Sequence, residues 1–591
     1  MEQNFFLNVA RSVTGYAWVD ALDGFTKNNA LAISQKYGFP DQLSCVLAAR
    51  NVDESEAERF IDPKLRDLLP DPLLLTDMGK AAERIEVAII NREKVAIFGD
   101  YDVDGACSTA ILARFLRFFG IVHRIYIPDR ITEGYGPNAL AMEALATEGY
   151  SLIITVDCGA NSAEAIQAAR HAGSDVVVLD HHQMDTVHSA ANALVNPNRP
   201  DDLSDQGHLC AAGVVFLTLV QICRQLRNQV ERLPDLLSYL DLVALATICD
   251  VVPLKGVNRA FVRKGLQVAR MMNNCGLSKL VDAAKIGEPL NSFHLGYLLG
   301  PRINAGGRIG DQALGARLLT IDNEVEAQVI AEKLDRLNLE RKDIELKHIA
   351  EAEANLISEL EGGALPAVIV VSGADWHPGI VGLLSARIKE RYQRPTIALA
   401  VKSDGRAIGS GRSIEGYDLG SAVRRAVEIQ LAIKGGGHAM AAGITIANEN
   451  IELFKRWMCE QASSQISTLD QRKTLKIDGV LSADSASEEL YTLLEKAGPY
   501  GNGNPNPVFV VMNHRIIDIR EIGKGHLALS LGNITGRRLK AIAFRAIGSP
   551  LGDFLLENRG SSVHVAGNLS INHWNGTASP QFRIIDAAVT N

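Results

Sequence analysis

From Val95 onward, short apolar runs alternate with longer stretches whose apolar residues recur at helical spacing. The runs Val95 to Phe98, Val122 to Ile127, Leu152 to Val156 and Val176 to Leu179 are β-rich, and helix-compatible segments separate them. This alternation predicts a parallel α/β sheet. Two helical stretches follow, Ala211 to Asn228 and Asp235 to Thr247. Between Glu324 and Glu361 the apolar positions Ile330, Leu334, Leu337 and Ile344 keep helical spacing among charges, which predicts a long, partly exposed connecting helix. A second α/β unit has a strand at Ala367 to Ser372, a helix after Gly379 and a glycine-rich end, Gly435-Gly436-Gly437-His438. Strand-like runs then take over at Val508 to Met512, Leu527 to Leu531, Leu539 to Phe544 and Val563 to Leu569, punctuated by Gly and Asn. They predict a small β-barrel.

Size agrees with several domains, because 591 residues exceed the roughly 250 to 300 at which single cores stop growing. A charged fraction of 22% and a mean hydropathy of +0.04 argue against extensive disorder. The N-terminus lacks a basic lead into a long apolar core, and no run reaches the roughly 18 to 20 apolar residues that span a bilayer. No export or membrane anchoring is expected. The 8 cysteines contain no C-x-x-C pair, which favours a reducing cytoplasm over disulfides or a zinc site. The net charge of −9 does not advertise a nucleic-acid partner, but it averages over the surface and says little about a local groove.

In open parallel sheets ligands gather at the carboxyl ends of strands. Acids and histidines stand there repeatedly. Asp100, Asp102 and Asp104 follow the first run, Asp157 the third, Asp180-His181-His182 the fourth, and Asp250 ends an apolar helix. A strand-end aspartate is often a helix cap and a lone histidine often a core residue. Four such coincidences within one stretch are hard to attribute to caps. Crowded carboxylates repel unless a cation sits among them, and aspartates with neutral imidazole suit Mn²⁺ or Mg²⁺. Two such ions roughly 3.5 to 4 Å apart activate water and neutralise charge in phosphoryl transfer.

These segments resemble the four motifs of the DHH phosphoesterase family. The resemblance implies that Asp104, Asp157, His181 and Asp250 hold one metal and Asp102 and Asp157 the other, with Asp157 as the bridge. It places His182 beside the scissile phosphate and Asp180 as the residue that orients its neighbours. Many family members carry a histidine four residues before the first ligand aspartate, where this chain has Phe98. The second metal is therefore expected to be held more weakly. Asp100, grouped with His182 and Asp180 as catalytic, is the candidate to compensate.

The segments Gly300 to Arg308, Trp376 to Gly382, Gly409 to Ser413, Gly435 to His438 and Gly498 to Pro505 resemble the RecJ-type branch of that family. Arg302, Arg308 and Arg412 offer forked donors for phosphate, and adjacent glycines let backbone N–H groups approach the same anion. With Asn304, Ser410, Gly436, Gly437 and His438 they form the expected substrate-binding set. The barrel fits an OB-fold, and from Arg515 to Arg545 seven basic residues face two acidic ones. The expected organisation is a helical segment at 1–59, a catalytic DHH domain at 60–322, a connecting helix at 323–361, a smaller α/β DHHA1 domain at 362–465 and an OB-fold at 466–591. The resemblance implies a cytoplasmic, monomeric exonuclease that degrades single-stranded DNA 5′ to 3′ into 5′ mononucleotides in recombination, mismatch and base-excision repair. Single-stranded-DNA-binding protein and a RecQ-type helicase are its implied partners. A non-catalytic scaffold is disfavoured by the intact aspartates and His181, and a small-phosphodiester hydrolase by the extra barrel.

Overall fold

The computed structural model describes residues 5–590 except 131, 185, 188–189, 361–363, 470–472 and 575–576. The chain forms two compact units. One comprises Asp71–Asp250 and Gly265–Asp470, the other Met1–Pro70, Val251–Lys264 and Gln471–Asn591.

The first unit contains two sheets. Five parallel strands run in the order His123–Tyr126, Val95–Gly99, Leu152–Val156, Asp175–Leu179, Ala193–Val195. The Val95–Gly99 and Leu152–Val156 strands are buried along their whole length, as expected of strands covered by helices on both faces. Strand order reverses between these two, which is where such sheets open a crevice beyond their carboxyl ends. The residues that follow them are Asp100, Asp102 and Asp157.

The helix Glu324–Leu360 has the long form that its spacing predicts; Glu361 lies outside the described residues. A second sheet follows in the order Lys434–His438, Ala441–Ala447, Arg406–Arg412, Thr396–Val401, Ile369–Gly373, and only its last pair is parallel.

The Gly300 to Arg308 segment differs from its expected role. It is a helix, Gly300–Ile309, so its amides bond along the helix instead of cradling an anion. Its glycines serve close packing. A Cβ on Gly300 would stand 2.5 Å from Cys249 Sγ, and one on Gly307 3.0 Å from the Tyr101 Cβ.

In the second unit a closed barrel forms from Phe509–Ile522, His526–Gly532, Arg538–Ala543, Thr577–Val589 and Ser562–Trp574, the last strand pairing back to the first. The 1–59 segment is not purely helical. Besides the helices Gly24–Tyr37 and Asp41–Ala49 it holds the strand Tyr16–Asp20, parallel to Lys473–Ile477. Ile33, Leu43, Val46 and Leu47 are buried in one core with Phe509, Val511 and Phe582 of the barrel. Arg259 joins the three chain segments by donating to the carbonyls of Phe60, Ala497 and Gly498, with its guanidinium 3.6 Å from the Phe60 ring centroid. Among the described residues no helix is long and apolar enough to cross a membrane.

Candidate metal centre

Each expected ligand is set by local structure. Asp102 caps the helix Val103–Phe118, its carboxylate accepting from Gly105 N–H at 3.0 Å. Asp104 lies in the first turn of that helix. It accepts from the N–H groups of Ala211 at 2.6 Å and Ala212 at 2.8 Å, where the helix Ala211–Leu226 begins. Asp157 follows its strand in a left-handed conformation, φ 60°, and its N–H donates to Leu179 O. Asp250 caps the helix Leu240–Cys249 at its carboxyl end.

These residues converge. His181 Nε2 lies 3.3 Å from Asp157 Oδ1, 3.7 Å from Asp104 Oδ2 and 3.7 Å from Asp250 Oδ2. Beside this group Asp100, Asp102 and Asp157 present carboxylate oxygens within 4.8 Å of one another, so Asp157 belongs to both sets. The fold thus brings Asp100 beside Asp102 and Asp157. Phe98 is fully buried and stacks on Tyr126 with centroids 5.2 Å apart.

Burial, followed by mutual repulsion, pushes the carboxyls of Asp157 and Asp100 above their ordinary range, and burial raises Asp104 against the opposing pull of His181. Burial and then repulsion raise Asp250 to about 9. Among the described residues the Oδ1 atoms of Asp100 and Asp157 are buried without a hydrogen-bond partner. Unpartnered carboxylate oxygens facing one imidazole form a hard O/N donor set that fits divalent cations of the Mg²⁺ and Mn²⁺ type.

Asp180 stands behind the histidines. Its Oδ1 accepts from His181 N–H at 2.7 Å, His182 N–H at 3.2 Å and His182 Nδ1 at 2.7 Å, and its Oδ2 accepts from Ala160 N–H at 2.9 Å. Burial opposes the charge on both partners. The bond and charge between them prevail, pulling Asp180 to about 2 and lifting His182 to about 9. The other face of His182 meets Tyr135, whose hydroxyl lies 3.1 Å from Nε2 and 3.2 Å from Asp157 O. Sequence reading missed Tyr135, whose flanking Gly134 and Gly136 were the only local signal.

The expected substrate residues divide. Arg302 donates from Nε to Asp335 at 2.9 Å and from Nη1 to Leu298 O at 2.6 Å, so part of its fork is engaged within the protein. Arg308 donates to Gly379 O at 3.1 Å, and Arg412 to Ser410 Oγ at 3.0 Å and Gly411 O at 2.8 Å; neither guanidinium has a carboxylate hydrogen-bond partner among the described residues. Burial, then the charges of Arg130, Arg341 and Arg412, pull Arg308 down to about 10. Arg412 is lowered by burial and then by Arg130. Such a concentration of guanidinium groups calls for an anion. Arg130, near the end of the His123–Tyr126 strand, went unnoticed although the strand-end rule reaches it.

Ser410 and Arg412 lie beside Gly382, in the first turn of the helix Val381–Tyr392; a Cβ there would stand 3.1 Å from Ser410 Oγ. Asn304 is half-buried on the Gly300–Ile309 helix. Gly436, Gly437 and His438 lie in a strand, and His438 is exposed. Around Gly436 there is open space, and Gly437 O accepts from Arg424 at 2.8 Å.

The parallel sheet with its aspartate and histidine cluster defines a protein of the DHH class. The family model described as "DHH family, N-terminal domain" matches residues 94–247, the DHHA1 domain model 365–464 and the RecJ OB domain model 477–586. The chain is 35% identical over 564 residues to the single-stranded-DNA-specific exonuclease RecJ of Escherichia coli (strain K12), covering 93% of this chain and 95% of that one. It is 34% identical over 555 residues to the RecJ of Bacillus subtilis (strain 168), covering 93% and 68% respectively. The crystal structure of RecJ from Thermus thermophilus in complex with Mn²⁺ superposes with a TM-score of 0.77 at 29% identity, over 95% of this chain and 78% of that chain. The chain belongs to the RecJ family.

Proposed function

We propose that the chain is a metal-dependent exonuclease that hydrolyses single-stranded DNA from its 5′ end, releasing 5′ mononucleotides. The observation that carries this reading is the approach of Asp104, Asp157 and Asp250 to His181 Nε2, with Asp157 also grouped with Asp100 and Asp102. Family membership supports the substrate, and the Mn²⁺ in the Thermus thermophilus relative supports the donor chemistry.

Asp104, Asp157, His181 and Asp250 would hold one Mn²⁺ or Mg²⁺, and Asp102 with Asp157, aided by Asp100, a second. When bound, the ions supply Lewis acidity to the phosphate and lower the pKa of water. Asp157 fixes the spacing of the two groups. Asp180 keeps the His182 ring in place and cationic, ready to donate to a phosphate oxygen. Arg130, Arg308, Arg412 and Ser410 offer donors for a terminal 5′-phosphate, which gives the direction a physical basis. The barrel, with exposed Arg515, Arg520, Lys524, Arg538 and Lys540, grips the strand.

In this reading the N-terminal segment spans 1–59, the catalytic domain 60–322, the connecting helix 323–361, the substrate domain 362–465 and the barrel 466–591. Action as a cytoplasmic monomer in recombination and repair, with single-stranded-DNA-binding protein and a RecQ-type helicase supplying substrate, completes it.

The test is digestion of strands labelled at either end, with 5′-phosphate or 5′-hydroxyl, with and without Mn²⁺. Mononucleotides should leave from the 5′ end, and Arg412→Ala should remove any advantage of the 5′-phosphate. Release from the 3′ end, or activity without divalent metal, would overturn the reading.

A further inference from the structure

The helical turn His294–Leu299 and its N-cap Phe293 carry two aromatic rings that the fold leaves largely in solvent. Phe293 is 52% and Tyr297 72% exposed. They stack with centroids 5.1 Å apart and planes inclined by 24°. Among the described residues no other stacked pair leaves both rings exposed.

Their position is fixed by close packing. A Cβ on Gly296 would stand 3.1 Å from Ile248 Cγ2 and one on Gly300 2.5 Å from Cys249 Sγ, so only glycine lets this helix approach so near. Cys249 Sγ also donates to Leu295 O at 3.4 Å. The residue after Cys249 is Asp250, a member of the metal centre. The rings therefore stand on the same rigid junction as a ligand of that centre.

The patch is small and bounded by charge. His294 pairs with Glu288 at 3.0 Å, and Arg302, further along the same helical stretch, with Asp335 at 2.9 Å. Two rings with polar edges match the flat area of a nucleobase better than a protein-docking surface, which needs a broader apolar area. Every base has a π-face, but in a duplex both faces are covered by neighbours.

We propose that Phe293 and Tyr297 form a stacking platform for unpaired bases next to the phosphate being cut. This rests on the single-stranded-DNA reading above and deepens it, because the platform would accept a single strand and not a duplex. Stacking on an aromatic side chain changes binding by about five- to 150-fold per base.

The experiment compares wild type, Phe293→Ala, Tyr297→Ala and Tyr297→Phe on a mixed-sequence strand and on the same strand with one abasic site at successive positions from the 5′ end, with Mn²⁺. Tyr297→Ala should raise KM for the intact strand by such a factor and Tyr297→Phe should retain the wild-type value. An abasic site at the contacting position should weaken the wild type equally and erase the difference between wild type and Tyr297→Ala. A structural role would not depend on the base in the DNA. Identical responses of wild type and alanine variants at every abasic position overturn the proposal. So does a loss in Tyr297→Phe as large as in Tyr297→Ala. If the alanine variants do not fold, 2-aminopurine in the strand decides, with Ca²⁺ replacing Mn²⁺. It should be quenched on binding to the wild type, and an unquenched signal at every position overturns the platform. A wild type that leaves single strands uncut strikes the functional reading instead, and the 2-aminopurine signal still judges the platform.

Discussion

Replacing Asp180 by Asn keeps the shape of the side chain and removes its charge. All four partners of Asp180 are donors: three reach Oδ1 and Ala160 N–H reaches Oδ2. An amide has one acceptor oxygen, so its NH₂ must face a donor, most simply Ala160. Holding Asp180 at about 2 instead of the usual 3.8 corresponds to about 2 kcal/mol of native-state preference for the charged form. Leaving Ala160 N–H unpaired adds about 1 to 3 kcal/mol. The metal-free variant should therefore lose about 3 to 5 kcal/mol at neutral pH. Because the folded-state value is depressed, the parent's advantage is full above the unfolded value of 3.8 and fades as pH falls through about 2. For His182 the sign reverses. Its folded-state value is raised to about 9, so its contribution is full below 6.5 and fades as pH rises through about 9. Without Asp180 the hydrogen bond and charge that lift His182 most are gone, and burial is opposed by the charges of Asp100 and Asp250, so His182 should titrate below its parent value of about 9. Chemical denaturation across pH, with NMR titration of labelled histidine, reads both quantities. A loss under about 1 kcal/mol with His182 still titrating near 9 would refute the reasoning.

Asp157→Ala should abolish hydrolysis while leaving the protein folded and able to bind single-stranded DNA, checked by nuclease and mobility assays; near-normal activity in a metal-saturated variant excludes the assignment. Phe98→His should lower the Mn²⁺ concentration needed for half-maximal activity, and two equally tight sites in calorimetry of the wild type would count against a weak second ion. Deleting 466–591 would strip the core from 1–59, so charge removal is the cleaner probe of the barrel. Arg538→Ala with Lys540→Ala should flatten the salt dependence of long-strand binding by about 0.7 for each phosphate left without its cation, measured as log K against log salt. An unchanged slope would show that these two side chains do not reach DNA.

The cluster of aspartates around His181 was legible because each carboxylate or imidazole stands close beyond a strand or helix whose apolar pattern is unmistakable. Four separate segments point at the same edge, so their sequence order survives folding. Arg302 reads as a free fork because its partner Asp335 is 33 residues away on another helix. The glycines of 300–310 suggest a loop by composition alone. Only the packing on Cys249, Tyr101 and Leu337 reveals a helix that needs small residues. Tyr16–Asp20 could not be read as a strand, since its partner Lys473–Ile477 lies at the far end of the chain. Thr577–Val589, the strand that completes the barrel, begins in a polar stretch and was passed over.

The pairing of Tyr16–Asp20 with Lys473–Ile477 also sets a clock on biosynthesis. At roughly 5 to 20 residues per second, a ribosome reaches the second strand about 20 to 90 s after the first. Throughout that interval Ile33, Leu43, Val46 and Leu47 have no barrel to cover them, because the barrel is made last. The beginning of this polypeptide must therefore wait as a sticky, unfinished fragment while the nuclease core assembles behind it. A premature stop near the carboxyl end would do its damage there, orphaning the first helices and exposing them to aggregation or proteolysis.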